Sequence, residues 1–167
     1  MTGESPIRIL VVDDEAEMRE FLQEILAERG YVVAAAAGAE EALGALAERE
    51  FHLVVSDIRM PGMDGVTLLE RVKAQTGFTP FVILITAFGD VEDTVRLIDR
   101  GAYDYLIKPF KMDQLLVAVK RAERELELRR RVEELEGRPP VRHTFHGILG
   151  KSAAMCGIFT LIEKVAA

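Results

Sequence analysis

Three carboxylates, a hydroxyl and an ammonium stand at points where a short apolar run has just ended. Asp13 and Asp14 follow residues 7–12, Asp57 closes 51–57, Thr86 follows 81–85 and Lys108 follows 103–107. Carboxylates gathered at one place repel: at 4 Å and an effective dielectric near 20, each pair costs about 4 kcal/mol. A cation is therefore expected among Asp13, Asp14 and Asp57. A hard, oxygen-liganded ion such as Mg²⁺ suits them better than zinc, since no His or Cys lies in the set. The Lys108 ammonium suits a phosphoryl oxygen, and the Thr86 hydroxyl can donate to another. Asp57 is then a nucleophile toward phosphorus, forming an acyl phosphate while Mg²⁺ and Lys108 neutralise the charge on the oxygens. Taken singly, each group has a plainer role: acid pairs cap helices, threonines cap turns and Lys-Pro is a frequent loop dipeptide. Their joint occurrence at four successive strand ends carries the phosphoryl reading.

The flanking elements must bring these groups together. Leu53, Val54 and Val55 read as a strand buried on both faces, and Pro61-Gly62 and Asp64-Gly65 turn the chain immediately after Asp57. Residues 7–12, 31–33, 81–85 and 103–107 read as further strands. Met18, Phe21, Leu22, Ile25 and Leu26 recur at helical spacing within 15–29, closed by Gly30. Helical spacing returns over 39–49, with Ala42, Leu43 and Leu46 inward, through Val66, Leu68, Leu69 and Val72, and over 91–100 before Gly101. This alternation predicts an α/β fold, a doubly wound parallel sheet with right-handed crossovers. Ligand sites of such sheets lie at the carboxyl edge, where all the chemistry-bearing residues fall.

The chain has 167 residues, 49% of them hydrophobic and 29% charged, with a net charge of -7. That composition predicts a globular protein without a nucleic-acid-binding face and without a membrane span, in the cytoplasm. The single Cys156 permits no internal disulfide and fits a reducing compartment. The fifth helix begins near Met112 and runs to Glu136, before Gly137 and Pro139-Pro140. A helix of about 25 residues is ~37 Å long, so its second half should project from the domain. Leu128, Val132 and Leu135 continue an apolar seam there among charged pairs such as Glu125 with Arg129, which fits a dimerising stalk or a solvated linker. Beyond Pro140, residues 145–152 open a new segment followed by an amphipathic helix with Met155, Ile158, Phe159, Ile162 and Val165. Gly150-Lys151-Ser152 is not a phosphate loop, because Phe145 holds the place of the required glycine.

Asp13-Asp14, Asp57 with the Met60 to Gly65 stretch, Thr86-Ala87 and Lys108-Pro109-Phe110 resemble the receiver domain of two-component response regulators, over residues 7 to about 122. The resemblance implies a flavodoxin-like (βα)5 sheet of order 2-1-3-4-5. It implies that Asp57 accepts a phosphoryl group from a sensor histidine kinase, and that Asp14, Asp57 and the Arg59 carbonyl bind Mg²⁺ with Asp13 assisting through water. It also implies a cis Lys108-Pro109 peptide. The stretches Thr86 to Val91 and Gly101 to Phe110 further resemble the NtrC-like activators of sigma-54 RNA polymerase. Ile148 to Ser152, Met155 and Ile162 to Ala166 are similar to the opening of their AAA+ ATPase domain. The expected organisation is a receiver domain over 1–122, a helical dimerisation linker over 123–138 and the start of an AAA+ domain over 139–167. The ATPase loop and the DNA-binding helices are expected beyond Ala167, so this part should neither hydrolyse ATP nor bind DNA.

Phosphorylation of Asp57 replaces one negative charge with about two and adds three acceptor oxygens. The Thr86 hydroxyl can follow them inward, leaving space that Tyr105 fills. Carrying such a switch from 1:99 to 99:1 takes ~5.5 kcal/mol, which new contacts of about 1.5 to 3 kcal/mol each meet only in part, so help from dimer contacts is expected. His52, at the start of the central strand opposite the site, reads as structural; His143 and His146 sit in a polar connection. Three alternatives stand beside this reading. An aspartyl phosphohydrolase usually carries a second acid two residues after its nucleophile, where Arg59 stands. A flavin or nucleotide module needs Gly, Ser or Thr donors where Asp13-Asp14-Glu15 would repel phosphate. A degenerate receiver, acting through protein contacts alone, would not need the full acid, hydroxyl and lysine set.

Overall fold

A computed structural model describes residues 6–75, 79–87, 91–135, 144–145 and 148–149. In chain order the elements are β1 (Arg8–Val12), α1 (Ala16–Glu28), β2 (Val32–Ala36), α2 (Ala39–Glu48), β3 (Leu53–Asp57), α3 (Gly65–Ala74), β4 (Phe81–Thr86), α4 (Val91–Asp99), β5 (Asp104–Ile107) and α5 (Met112–Leu135). The strands pair in parallel in the order β2-β1-β3-β4-β5, the predicted doubly wound topology. Every residue of β3 and β4 is buried, as central strands covered on both faces require.

Alternate strand residues point to opposite faces, so each strand feeds two cores. Ile9, Val11, Val55 and Ile83 face α1 and α5, meeting Leu22, Leu26, Leu115 and Val119. Leu10, Val54, Val82 and Leu84 face the other way, against Ala42, Leu68, Leu69, Val72 and Leu97. Phe21 differs from its neighbours in the α1 pattern: it is 47% exposed, and only Leu22 and Leu26 of that helix are buried. β2 also runs three residues further than the apolar run suggests, through Ala34, Ala35 and Ala36. Alanine favours helix intrinsically. Here pairing with Leu10, Val11 and Val12 overrides that preference.

α5 is one continuous helix of 24 residues, about 36 Å long. Leu115, Ala118, Val119, Ala122 and Leu126 form its buried stripe. Contacts with the sheet domain continue past residue 122. The Tyr31 hydroxyl donates to Glu123 Oε2 at 3.0 Å, the Arg129 guanidinium lies 4.4 Å from the Phe81 ring centre, and Arg130 Nη2 is 2.8 Å from His52 Nε2. Leu128, Val132 and Leu135 point to solvent, at 61%, 51% and 87% exposure. Thr144–Phe145 and Ile148–Leu149 pair as short antiparallel strands. The readings on residues 88–90, Glu136, Gly137, Pro139, Pro140, His143, His146, Gly150-Lys151-Ser152, Cys156 and the terminal helix lie outside the described residues. Among the described residues, no helix is long and apolar enough to cross a membrane.

Candidate functional site

The carboxyl ends of β1, β3, β4 and β5 deliver the site. Asp13 follows β1 directly. Its backbone N–H donates to Ala36 O at 3.3 Å, and its Oδ1 accepts from Glu15 N at 2.9 Å, so the acid is tied into the turn that starts α1. The Glu15 side chain makes no capping bond. Arg19, one turn into α1, instead reaches back and donates to the carbonyl oxygens of Asp13 at 2.7 Å and Asp14 at 3.0 Å.

Asp57 is the last residue of β3, and the chain returns to it at once. Ile58 N donates to Ile85 O and Gly65 N to Ile58 O, both at 2.9 Å, while Asp64 caps α3 by accepting from Thr67 N at 2.7 Å. A Cβ on Gly65 would overlap the Asp57 carbonyl oxygen, so only glycine lets α3 start this close to the strand end. Thr86 ends β4 and is buried; its carbonyl accepts from Lys108 N at 2.7 Å, which draws the end of β5 against it. The Lys108-Pro109 peptide is cis. Lys108 Nζ lies 3.4 Å from Asp57 Oδ1 and 3.8 Å from Asp13 Oδ2.

Asp13, Asp14 and Asp57 each present a carboxylate oxygen within 4.8 Å of the others. Asp13 and Asp57 are buried, whereas Asp14 is exposed. Burial pushes the Asp13 carboxyl above the usual carboxylate range, opposed by the Glu15 N–H and the Lys108 ammonium. Burial likewise raises Asp57, again against Lys108. Asp13 Oδ2 is buried without a hydrogen-bond partner, an arrangement that costs free energy unless a cation meets it. Three carboxylates converging this closely, one of which carries an orphaned oxygen, fit a small hard cation such as Mg²⁺.

Arg59 lies two residues past Asp57 in the loop before α3, with its side chain exposed. Tyr105 stands half-buried in β5 opposite Leu84 and packs on the core face that α2, α3 and α4 cover. Two features escaped the sequence reading. One is Arg19, whose signal was present: a cation near a helix N-terminus opposes the helix dipole and implies a different purpose. The other is an apolar cavity of about 440 Å³ beside Lys108, lined by Met18, Phe21, Pro109, Phe110 and Met112. It explains the exposure of Phe21.

Residues 9–120 match the response regulator receiver domain family. The chain belongs to that family. Receiver domains are signalling domains of two-component response regulators rather than catalytic ones. The chain is 40% identical over 166 residues to the C4-dicarboxylate transport transcriptional regulatory protein DctD of Pseudomonas aeruginosa, covering 96% of this chain and 35% of that one. It is 34% identical over 157 residues to the DNA-binding transcriptional regulator NtrC of Salmonella typhimurium, covering 94% and 32%. A crystal structure of NtrX from Brucella abortus in complex with ATP aligns with a TM-score of 0.71 at 36% identity, over 97% of this chain and 35% of that one. The chain thus spans about a quarter to a third of the length of curated relatives such as these, 26% to 35% for the DctD, NtrC, AtoC and NtrX proteins.

Proposed function

We propose that this receiver domain accepts a phosphoryl group on Asp57 from a sensor histidine kinase, in the cytoplasm. The observation that carries the reading is the placement of Lys108 Nζ 3.4 Å from Asp57 and 3.8 Å from Asp13, inside a cluster of three carboxylates. An Asp57 carboxylate oxygen bonds to phosphorus as the P–N bond to the kinase's phosphohistidine breaks, and the imidazole nitrogen leaves with the electron pair. Lys108 holds one transferred oxygen by charge, and the Thr86 hydroxyl donates to another. Asp14, Asp57 and the Arg59 carbonyl, with Asp13 through water, would hold Mg²⁺, which would supply positive charge against the phosphoryl oxygens. The groove of Met18, Phe21, Phe110 and Met112 opens beside Lys108 and suits the apolar face of the kinase helix that delivers the group.

Movement of Thr86 toward the phosphoryl oxygens and of Tyr105 into the vacated space is the switch, read out through α4, β5 and α5. The α5 residues Leu128, Val132 and Leu135 form the seam of a homodimer, and residues 123–138 link the receiver to an AAA+ segment beginning near 139. In the whole protein the switch controls a sigma-54-activating ATPase and transcription. Incubation with acetyl phosphate and Mg²⁺ should add one phosphoryl mass to the parent and none to Asp57→Asn. Sedimentation of both samples should show a change of oligomeric mass in the parent alone. Equal phosphoryl mass on the variant would overturn the assignment of Asp57.

A further inference from the structure

We propose that Arg19 is a positioning residue for the cation site, holding Asp13 and Asp14 in register with Asp57 through their backbone. The inference rests on the reading that the three carboxylates hold Mg²⁺. Arg19 Nη1 carries two hydrogens and donates one to each of two successive carbonyl oxygens, at 2.7 and 3.0 Å. Both oxygens lie ahead of α1, outside its ladder, whose first bond here runs from Arg19 N to Glu15 O. Peptide units are planar, so fixing a carbonyl fixes its whole plane. The planes carrying the Asp13 and Asp14 carbonyls flank the Asp14 Cα, and holding both sets the two soft backbone torsions of Asp14. The second plane also carries Glu15 N, which donates to Asp13 Oδ1 at 2.9 Å. One guanidinium thereby fixes the backbone of one acid and the carboxylate rotation of the other.

The site needs this restraint because its own charges work against it. The three carboxylates sit within 4.8 Å of one another, and Asp14 is the exposed member, free to swing outward. Without Arg19, a cation must supply the ordering of that turn from its own binding free energy. Arg19 touches neither the carboxylates nor the groups that meet phosphorus; it acts through the main chain.

The test compares the parent with Arg19→Ala and Arg19→Lys, titrated with Mg²⁺ by calorimetry and by melting temperature. Loss of a support behind metal ligands costs about tenfold or more in affinity, and that is the expected rise in the Mg²⁺ dissociation constant for Arg19→Ala. Arg19→Lys, whose ammonium can follow one carbonyl but not fork across two as readily, should fall between. Phosphoryl uptake from acetyl phosphate should drop at low Mg²⁺ and return at saturating Mg²⁺. In the metal-free state, the Glu15 amide should exchange with solvent faster in Arg19→Ala than in the parent. If Arg19→Ala does not fold, Arg19→Gln takes its place with the same expectations. A variant that melts lower yet binds Mg²⁺ like the parent would make Arg19 merely structural and overturn the proposal. A parent that binds no Mg²⁺ would instead overturn the cation reading on which the proposal rests.

Discussion

The two edges of the sheet bury ionisable groups in opposite ways. At the carboxyl edge, Asp13 and Asp57 are buried beside each other with Lys108 as a common counter-ion, and Asp13 Oδ2 is left without a hydrogen-bond partner. At the amino edge, His52 is buried and held neutral: burial first, then the positive charges of Arg130 and Arg8, bring its pKa down to about 4. Its Nδ1 accepts from Arg8 N at 2.9 Å. The α5 extension closes over the same edge, with Leu126 buried, Arg129 above Phe81 and Glu123 on Tyr31. Repulsion therefore persists where a ligand can relieve it, and contacts close where the task is to anchor a helix. The site is assembled at the expense of stability, and the opposite edge fastens the α5 extension.

The largest effect expected on this contrast comes from Leu126→Ala. Truncating a buried leucine costs about 2 to 5 kcal/mol, and Leu126 is only 5% exposed. Leu128→Ala, two residues on, removes an exposed side chain and should change monomer stability by less than about 0.5 kcal/mol. Urea unfolding at low protein concentration separates the two. Equal losses would mean that α5 leaves the domain earlier than Leu126. Sedimentation should give the reverse ranking, since only Leu128 lies on the outward seam.

His52 should govern the acid limb of stability. Its folded pKa lies below the ordinary value of 6.5, so its neutral form favours folding above pH 6.5, and that contribution is lost as pH falls toward about 4. A shift of that size corresponds to about 3 kcal/mol at full protonation. In His52→Gln, which keeps a polar group near Arg8 and Arg130, the denaturation midpoint should fall less steeply between pH 6.5 and 4. An unchanged slope would place the acid sensitivity elsewhere.

How much of this contrast was readable from the sequence follows from what kind of physics set each part. The carboxyl edge was legible because its groups are reactive types at strand ends, and topology alone brings them together. The central strands were legible because 53–55 and 81–85 have nothing but apolar side chains to bury. The second half of β2 is not legible, because an alanine run has no strand signature until Leu10, Val11 and Val12 pair with it. Arg130 escapes for a related reason, since its partner His52 lies 78 residues away, whereas the partners of Arg19 are five and six residues away and only its place against the helix dipole marks it. Helical spacing likewise cannot separate Phe21, which lines a groove, from Leu22, which lies in the core.

Asp13→Asn should stabilise the metal-free domain. It removes a buried charge and its repulsion with Asp57 while retaining an oxygen for Glu15 N, at the loss of the attraction to Lys108. The sign follows from the raised folded pKa. A carboxyl shifted upward favours folding below its unfolded pKa of about 4 and loses that contribution as pH rises through the folded value. The advantage of Asp13→Asn should therefore be largest near neutral pH, shrink toward pH 4, and diminish when Mg²⁺ is added. Melting curves in chelator and in Mg²⁺ at both pH values test this. A variant less stable than the parent in chelator would show that the Lys108 attraction outweighs burial and repulsion.

The smallest effect expected is at the other edge. The Arg129 guanidinium lies 4.4 Å from the Phe81 ring centre, and its Nη2 bonds Glu125 Oε1 at 3.0 Å on the same helix. A cation held over an aromatic face at an exposed site is worth about 0.5 to 1 kcal/mol, and the exposed ion pair adds little. Arg129→Ala should therefore cost about that much, whereas Arg129→Lys, with a compact ammonium that can still approach the ring, should recover part of it. A double-mutant cycle with Phe81→Leu isolates the ring contribution from the Glu125 pair. A coupling of zero would assign the stability of the extension to Leu126 and the Tyr31–Glu123 bond, and leave Arg129 as a solvated side chain resting on the ring.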